Sequence, residues 1–212
     1  MRYLIAVILG CALTQTVWGQ QQCATDLVKT TEGRFLDNGD GTVTDRGTGL
    51  MWQRCNVGEI WSPEGFCVSN APVQENWDLA LQMIVQINIQ GSFTTDSGVP
   101  LDFSDPLLTP NFYTQGYNDW RMPNIKELAS LVERSCYYPA TDRSVFPTMK
   151  SAGLYWSSTP VPFASDVTGT VFSDVYCVNF DTGRVLGTNG CPKISTGSIS
   201  GQPWLRLVRN TP

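Results

Sequence analysis

The sequence predicts an α+β domain: two helices packed on short antiparallel sheets, with long loops and three disulfides. Three observations lead there. Short segments of alternating side chains flank glycine-rich turns. Two segments repeat apolar residues at helical spacing, and strands and helices follow one another without βαβ alternation. Six cysteines lie beyond the first 19 residues, an even set of the kind that exported chains use as staples. At 212 residues the chain suits one domain with a single sizeable core.

The chain opens with "MRYLIAVILGCALTQTVWG", one basic residue followed by an apolar run from Tyr3 to Leu13 and a small terminal residue, Gly19. That order is the form of a secretory signal peptide, and Val17 and Gly19 place the cut after Gly19. Residues 20–212 then form a single domain, expected in the periplasm, in the medium or on the cell surface. The apolar run is shorter than the ~20 residues a membrane span needs, so no transmembrane anchor is expected. "ILGC" offers a rival reading, a lipoprotein signal with Cys11 lipidated. Cleavage there would leave an apolar segment of only about eight residues, short for a leader.

Loss of the leader removes Arg2 and leaves 13 basic residues against 19 acidic ones, a net charge of −6. No basic stripe forms, which argues against nucleic acid and anionic membranes as partners. The chain contains no histidine. That excludes Ser-His-Asp and Cys-His nucleophilic machinery, histidine bases and the usual zinc or iron sites, so no cofactor is expected.

The cysteines Cys23, Cys55, Cys67, Cys136, Cys177 and Cys191 include no CxxC pair, which disfavours zinc. Six cysteines allow 15 pairings. Short intervening loops favour Cys55–Cys67 and Cys177–Cys191, which leaves Cys23–Cys136 to tie the N-terminus to the body.

"RFLDNGDGTVTD" reads as a hairpin, with Phe35 before the turn and Thr42, Val43 and Thr44 after it. Its acids, Asp37, Asp40 and Asp45, also invite a calcium reading. A calcium loop starting at Asp37 fails at three ligand positions, where Gly39, Gly41 and Thr48 stand. The Asn-Gly and Asp-Gly pairs suit a tight turn, and the stretch reads as a turn. "TGLMWQRC" is a further strand with Leu50 and Trp52 on one face. "NWDLALQMIVQIN" is the first helix, capped by Asn76, with Trp77, Leu81, Ile84 and Val85 as its apolar stripe.

A long irregular segment, 91–117, precedes the second helix. Asn124 and Glu127 there form a capping box behind Pro123, and Ile125, Leu128, Leu131 and Val132 make the buried face. "GLYWSST", "VYCVNFDTGRV" and "WLRLVRN" read as strands that complete the domain.

"FLDNGDGTVTDRGTGLMWQRC", "GYNDWRMPNIKELASLVERSC", "YWSST", "VNFDTGRV" and "WLRLVR", in that order, resemble the bacterial Lcl C-terminal domain family. The family was first described at the end of a Legionella collagen-like adhesin. The resemblance covers about residues 33 to 209. It implies a C-type lectin-like fold, related to the formylglycine-generating enzymes, with Arg121, Met122 and Pro123 standing for their Arg-Leu-Pro core. It also implies an extracytoplasmic recognition domain that binds a glycan or a cell-surface protein. Two departures stand out: no Gly-X-Y stalk precedes the domain, and the acidic mature chain disfavours sulfated glycans.

Candidate site residues follow from the loops. The 91–117 segment carries Phe93, Phe103, Phe112, Tyr113 and Tyr117; the 158–176 segment carries Phe163, Phe172 and Tyr176 with Asp166 and Asp174. Rings among small polar residues compose an adaptable recognition surface. The later loop matches the ligand region of C-type lectin-like folds, so Phe163, Asp166, Phe172, Asp174 and Tyr176 are the expected ligand contacts. No Glu-Pro-Asn or Gln-Pro-Asp triplet is present, so no calcium site is assigned. Most of Trp52, Trp77, Trp120, Trp156 and Trp204 are expected in the core, Trp61 is expected exposed between Cys55 and Cys67, and Arg121 is expected in a structural ion pair or carbonyl contact.

A non-catalytic recognition or adhesion domain is the expectation. A pilus- or surface-associated interaction subunit is the alternative. A copper enzyme of the formylglycine-generating type is less favoured, because its two late cysteines lie a few residues apart. Here Cys177 and Cys191 are 14 apart.

Overall fold

A computed structural model of the chain describes residues 20–62, 64–69, 74–91, 115–150, 153–162, 174–187, 191 and 203–211. The expected leader, with Cys11, lies outside them. The described residues are mixed α and β, with two helices and small antiparallel sheets. Strands β2 (Phe35–Asp37), β3 (Thr42–Asp45), β4 (Leu50–Gln53) and β11 (Val208–Asn210) form one sheet, in the order β11-β4-β3-β2. Strands β8 (Leu154–Pro160), β9 (Val175–Asn179) and β10 (Arg184–Leu186) form a second, in the order β10-β9-β8. Two small ribbons pair β5 (Glu59–Trp61) with β6 (Cys67–Ser69), and β1 (Gln22–Cys23) with β7 (Cys136–Tyr137).

Strand alternation divides the apolar residues between two cores. Met51, Trp156, Val175, Cys177, Leu205 and Leu207 face one, which helix α1 (Trp77–Gln90) covers with Ala80, Met83, Ile84 and Ile87. Leu50, Trp52, Tyr155, Val178 and Val208 face the other, which helix α2 (Ile125–Ala129) covers with Leu128, followed by Leu131. Strand β4 is therefore buried on both faces, where alternation alone suggests one. The buried face of α1 also differs from expectation. Ala80, Met83, Ile84 and Ile87 keep i, i+3, i+4, i+7 spacing, and Val85, one residue and ~100° past Ile84, is 57% exposed.

Local signals explain the helix ends. The Asn76 side chain accepts from the Leu79 N–H, and α1 stops at Gly91, whose φ of 70° suits a residue without Cβ. Asn124 and Glu127 form the expected capping box, with both reciprocal hydrogen bonds present.

The three disulfides are Cys55–Cys67, Cys177–Cys191 and Cys23–Cys136. The last closes a strap along the body. Cys23 pairs in register with Cys136, and the Gln21 amide donates to the carbonyls of Pro139 and Thr141 at 2.7 and 2.6 Å. The strap ends at Thr30 and Thr31, which donate to the fully buried Glu133 carboxylate. Burial alone would raise the pKa of Glu133. The Ser135 N–H and the hydroxyls of Ser135, Thr30 and Thr31 outweigh it and hold the group at about 2.

The acidic stretch is a turn. The Asn38 N–H donates to the Thr42 carbonyl, and Asp40 Oδ1 accepts from the Thr42 N–H and hydroxyl. Asp37 accepts from the Gly39 N–H and pairs with Arg54, while Asp45 pairs with Arg34 through Nε at 2.7 Å. Each acid thus has its own local partner. Gly41 has a φ of 92°, and a Cβ there would lie 2.5 Å from Trp61 Cγ. Trp61 itself corrects an expectation. It is only 9% exposed, because it packs on that glycine and beneath the Arg54 guanidinium, 4.3 Å from its ring.

Gly41→Val should therefore lose about 2 kcal/mol or more in denaturant unfolding, from strain and overlap together. Asp40→Ala should lose about 1 kcal/mol or less, the worth of ordinary hydrogen bonds. The fold favours ionised Glu133, so its contribution is complete above the ordinary value of 4.5 and is lost as pH falls toward 2. Unfolding series should show stability declining across that window, and the decline should be shallower in Glu133→Gln.

Candidate functional site

The end of β8 leads into the expected ligand loop, and three elements hold it. The Ser158 N–H donates to the Pro123 carbonyl at 2.8 Å, and the Ile125 N–H donates to Thr159 Oγ1 at 2.9 Å. From the other side, Trp77 Nε1 donates to the Ser157 carbonyl and Trp156 Nε1 to the Glu75 carbonyl, both at 2.9 Å. Across the sheet, the Ser157 hydroxyl donates to the Tyr176 carbonyl at 2.5 Å. A register shift between Trp156 and Pro160 interrupts the regular pairing where the loop begins. Both ends of the loop are then joined by the Val161 N–H donating to the Asp174 carbonyl at 3.0 Å.

Arg121 and Glu127 stiffen the α2 side of this frame. The guanidinium donates two parallel bonds to the carboxylate, at 2.7 and 2.8 Å, so of the two structural roles expected for Arg121 it takes the ion pair. Burial would raise the Glu127 pKa, but the Arg121 bonds and the Asn124 N–H hold the carboxyl below its ordinary value. Glu127 therefore stays an acceptor, available to both the cap and the arginine.

Of the expected ligand contacts, Asp174 and Tyr176 are described. Asp174 is buried at the seam between β8 and β9, and Tyr176 is half-buried with its ring against Gly187. Phe163, Asp166 and Phe172 lie outside the described residues, as do Phe93, Phe103, Phe112 and Tyr113. Tyr117 is described, and it packs inward. Its ring meets Trp120 edge-on at 6.0 Å and lies 3.9 Å below the Arg209 guanidinium, which Asp119 holds at 2.6 Å. Trp52, Trp120 and Trp156 are buried, and Trp77 and Trp204 are partly buried against the cores, as expected.

Among the described residues, no group of three or more His, Cys, Asp or Glu side chains is placed to hold a metal ion. None of their helices is long and apolar enough to cross a membrane. Three disulfides fit an oxidising compartment outside the cytosol.

The fold is thus a disulfide-stapled α+β scaffold that braces both ends of the β8–β9 loop. The chain belongs to the Lcl C-terminal domain family, whose model matches residues 41–208. That family is surface- and adhesin-associated. No curated protein and no solved structure matches the chain.

Proposed function

We propose that the chain is an exported, non-catalytic recognition domain of C-type lectin-like architecture. It binds a glycan or a cell-surface protein through the loop joining β8 to β9. The observation that carries this reading is the bracing of that loop's two ends, at Ser158–Val161 and Asp174–Tyr176, in a member of an adhesin-associated family. A rigid frame lets a loop vary in sequence without cost to the cores beneath it. The residues in the loop suit recognition: Phe163 and Phe172 offer rigid apolar area, and Asp166 with neighbouring Ser and Thr offers hydrogen bonds. Bridging of Cys177 and Cys191 supports a structural role for the late cysteines and disfavours copper chemistry at them. Export follows from the leader at residues 1–19, which delivers the domain to the periplasm, the medium or the cell surface.

A glycan array probed with and without calcium, beside pull-down from a bacterial or host surface fraction, would identify the ligand class. Phe163→Ser, Asp166→Ala and Phe172→Ser combined should then remove binding to it while the melting temperature stays within a few degrees. Retained affinity would move the site elsewhere, and a collapsed melting temperature would place these rings in the core. Capture of a protein with no array signal would favour the interaction-subunit reading over the lectin one.

A further inference from the structure

The N-terminal strap, residues 20–31, is tied to the body without help from either hydrophobic core. Among the described residues, neither core takes a side chain from it. Its two large aliphatic residues, Leu27 and Val28, are 56% and 80% exposed. The ties are polar. The Gln21 amide donates to Pro139 and Thr141, the Ala24 N–H donates to the Ser135 carbonyl at 2.7 Å, and Thr30 and Thr31 donate to Glu133. Lys29 stands 4.0 Å from Asp142 on a half-exposed side chain. Bonds of this kind exchange for bonds to water at modest net cost. The covalent tie has no such substitute: Cys23–Cys136 joins residues 113 apart in sequence.

The three disulfides differ in access. Cys177 and Cys191 are fully buried in the first core. Cys55 is buried and Cys67 half-buried. Cys23 alone among the six is exposed, on a strand whose two residues are both exposed. Its partner Cys136 is buried, with Sγ 3.7 Å from the Ser135 hydroxyl, which donates to Glu133 at 2.7 Å. Thiol–disulfide exchange needs a thiolate to reach a sulfur, so exposed disulfides are the labile ones.

We propose that Cys23–Cys136 is a reversible redox latch, which a dithiol reductant opens selectively to free the strap while both cores stay folded. The reductant's thiolate attacks Cys23 Sγ, forming a mixed disulfide there and expelling Cys136 as a thiolate, which takes up a proton. The nearby Glu133 carboxylate favours that neutral thiol, and its S–H can donate to the Ser135 hydroxyl. The reductant's second thiolate then attacks its own sulfur in the mixed disulfide. Cys23 leaves as a thiol, and the reductant, oxidised by two electrons, leaves as a cyclic disulfide.

Limiting dithiothreitol on the intact protein, followed by alkylation and peptide mapping, tests the proposal. Cys23 and Cys136 should be alkylated about ten-fold or more faster than the other four cysteines. Hydrogen exchange should then find the Ala24 and Thr31 amides unprotected. The amides of Trp156 and Val208, which donate to the Trp204 and Arg121 carbonyls, should stay protected. Oxidised glutathione should restore both the bond and the strap's protection. Cys23→Ser combined with Cys136→Ser should show the freed strap with no reductant present. The proposal is overturned by earlier or equal reduction of another pair, or by a strap still protected once its bond is open. Joint loss of protection at Trp156 and Val208, no recovery with oxidised glutathione, or a double variant that does not fold would overturn it equally.

Discussion

The layout depends on one buried cation, Arg206. Its side chain is fully removed from solvent and donates to the carbonyls of Gln53 and Arg54 at 2.8 and 2.7 Å and to Asn56 Oδ1 at 2.6 Å. Gln53 ends β4, and Arg54 and Asn56 follow it on the way to β5. Asn56 passes the constraint on. Its Oδ1 also accepts from the Tyr155 hydroxyl at 3.0 Å, its amide donates to the Thr148 carbonyl, and its N–H donates to Glu59. Burial pulls the Arg206 pKa down, while Tyr155 and Glu59 pull it up. The Phe146 ring, 5.0 Å from the guanidinium, adds a cation–π contact.

This polar knot lies on the face of the second core and links four separate parts of the chain. The C-terminal segment supplies Arg206, the β4–β5 connection supplies Asn56, β8 supplies Tyr155, and the 142–150 region supplies Phe146, Thr148 and Lys150. Its position also bears on the site. Tyr155 precedes Trp156 and Ser157, whose hydrogen bonds to Glu75 and Tyr176 brace the β8–β9 loop. A fixed Tyr155 therefore fixes the strand from which the loop departs.

The sequence made the elements legible wherever a local signal set them. The capping box of Asn124 and Glu127, the Asn76 cap, the 38–41 turn and the Cys55–Cys67 and Cys177–Cys191 pairs are each decided within a short stretch or by a short loop, and Cys23–Cys136 follows as the remaining pair. Long-range partners were not legible. Arg206 alternates with Leu205 and Leu207, so strand periodicity alone assigns it to a solvent face; its acceptors lie 150 or more residues away. Trp61 looked exposed because it stands in a short disulfide loop, and only the contact with Gly41 and Arg54 buries it. Val85 fitted the apolar stripe by residue type but stands one residue past the face that meets the core. For the candidate site, composition pointed to both long loops and the family resemblance to the β8–β9 one, while the bracing of its ends depends on tertiary contacts.

The central claim is that the Arg206 knot holds the scaffold in one arrangement. Denaturant unfolding of Arg206→Met compared with the parent chain tests it most directly, since methionine keeps much of the apolar bulk and removes every donor. The account predicts a loss of about 3–5 kcal/mol, because buried carbonyls and Asn56 are left without their partner. A variant within about 1 kcal/mol of the parent would contradict it, and would mean that packing of the two cores suffices without the cation.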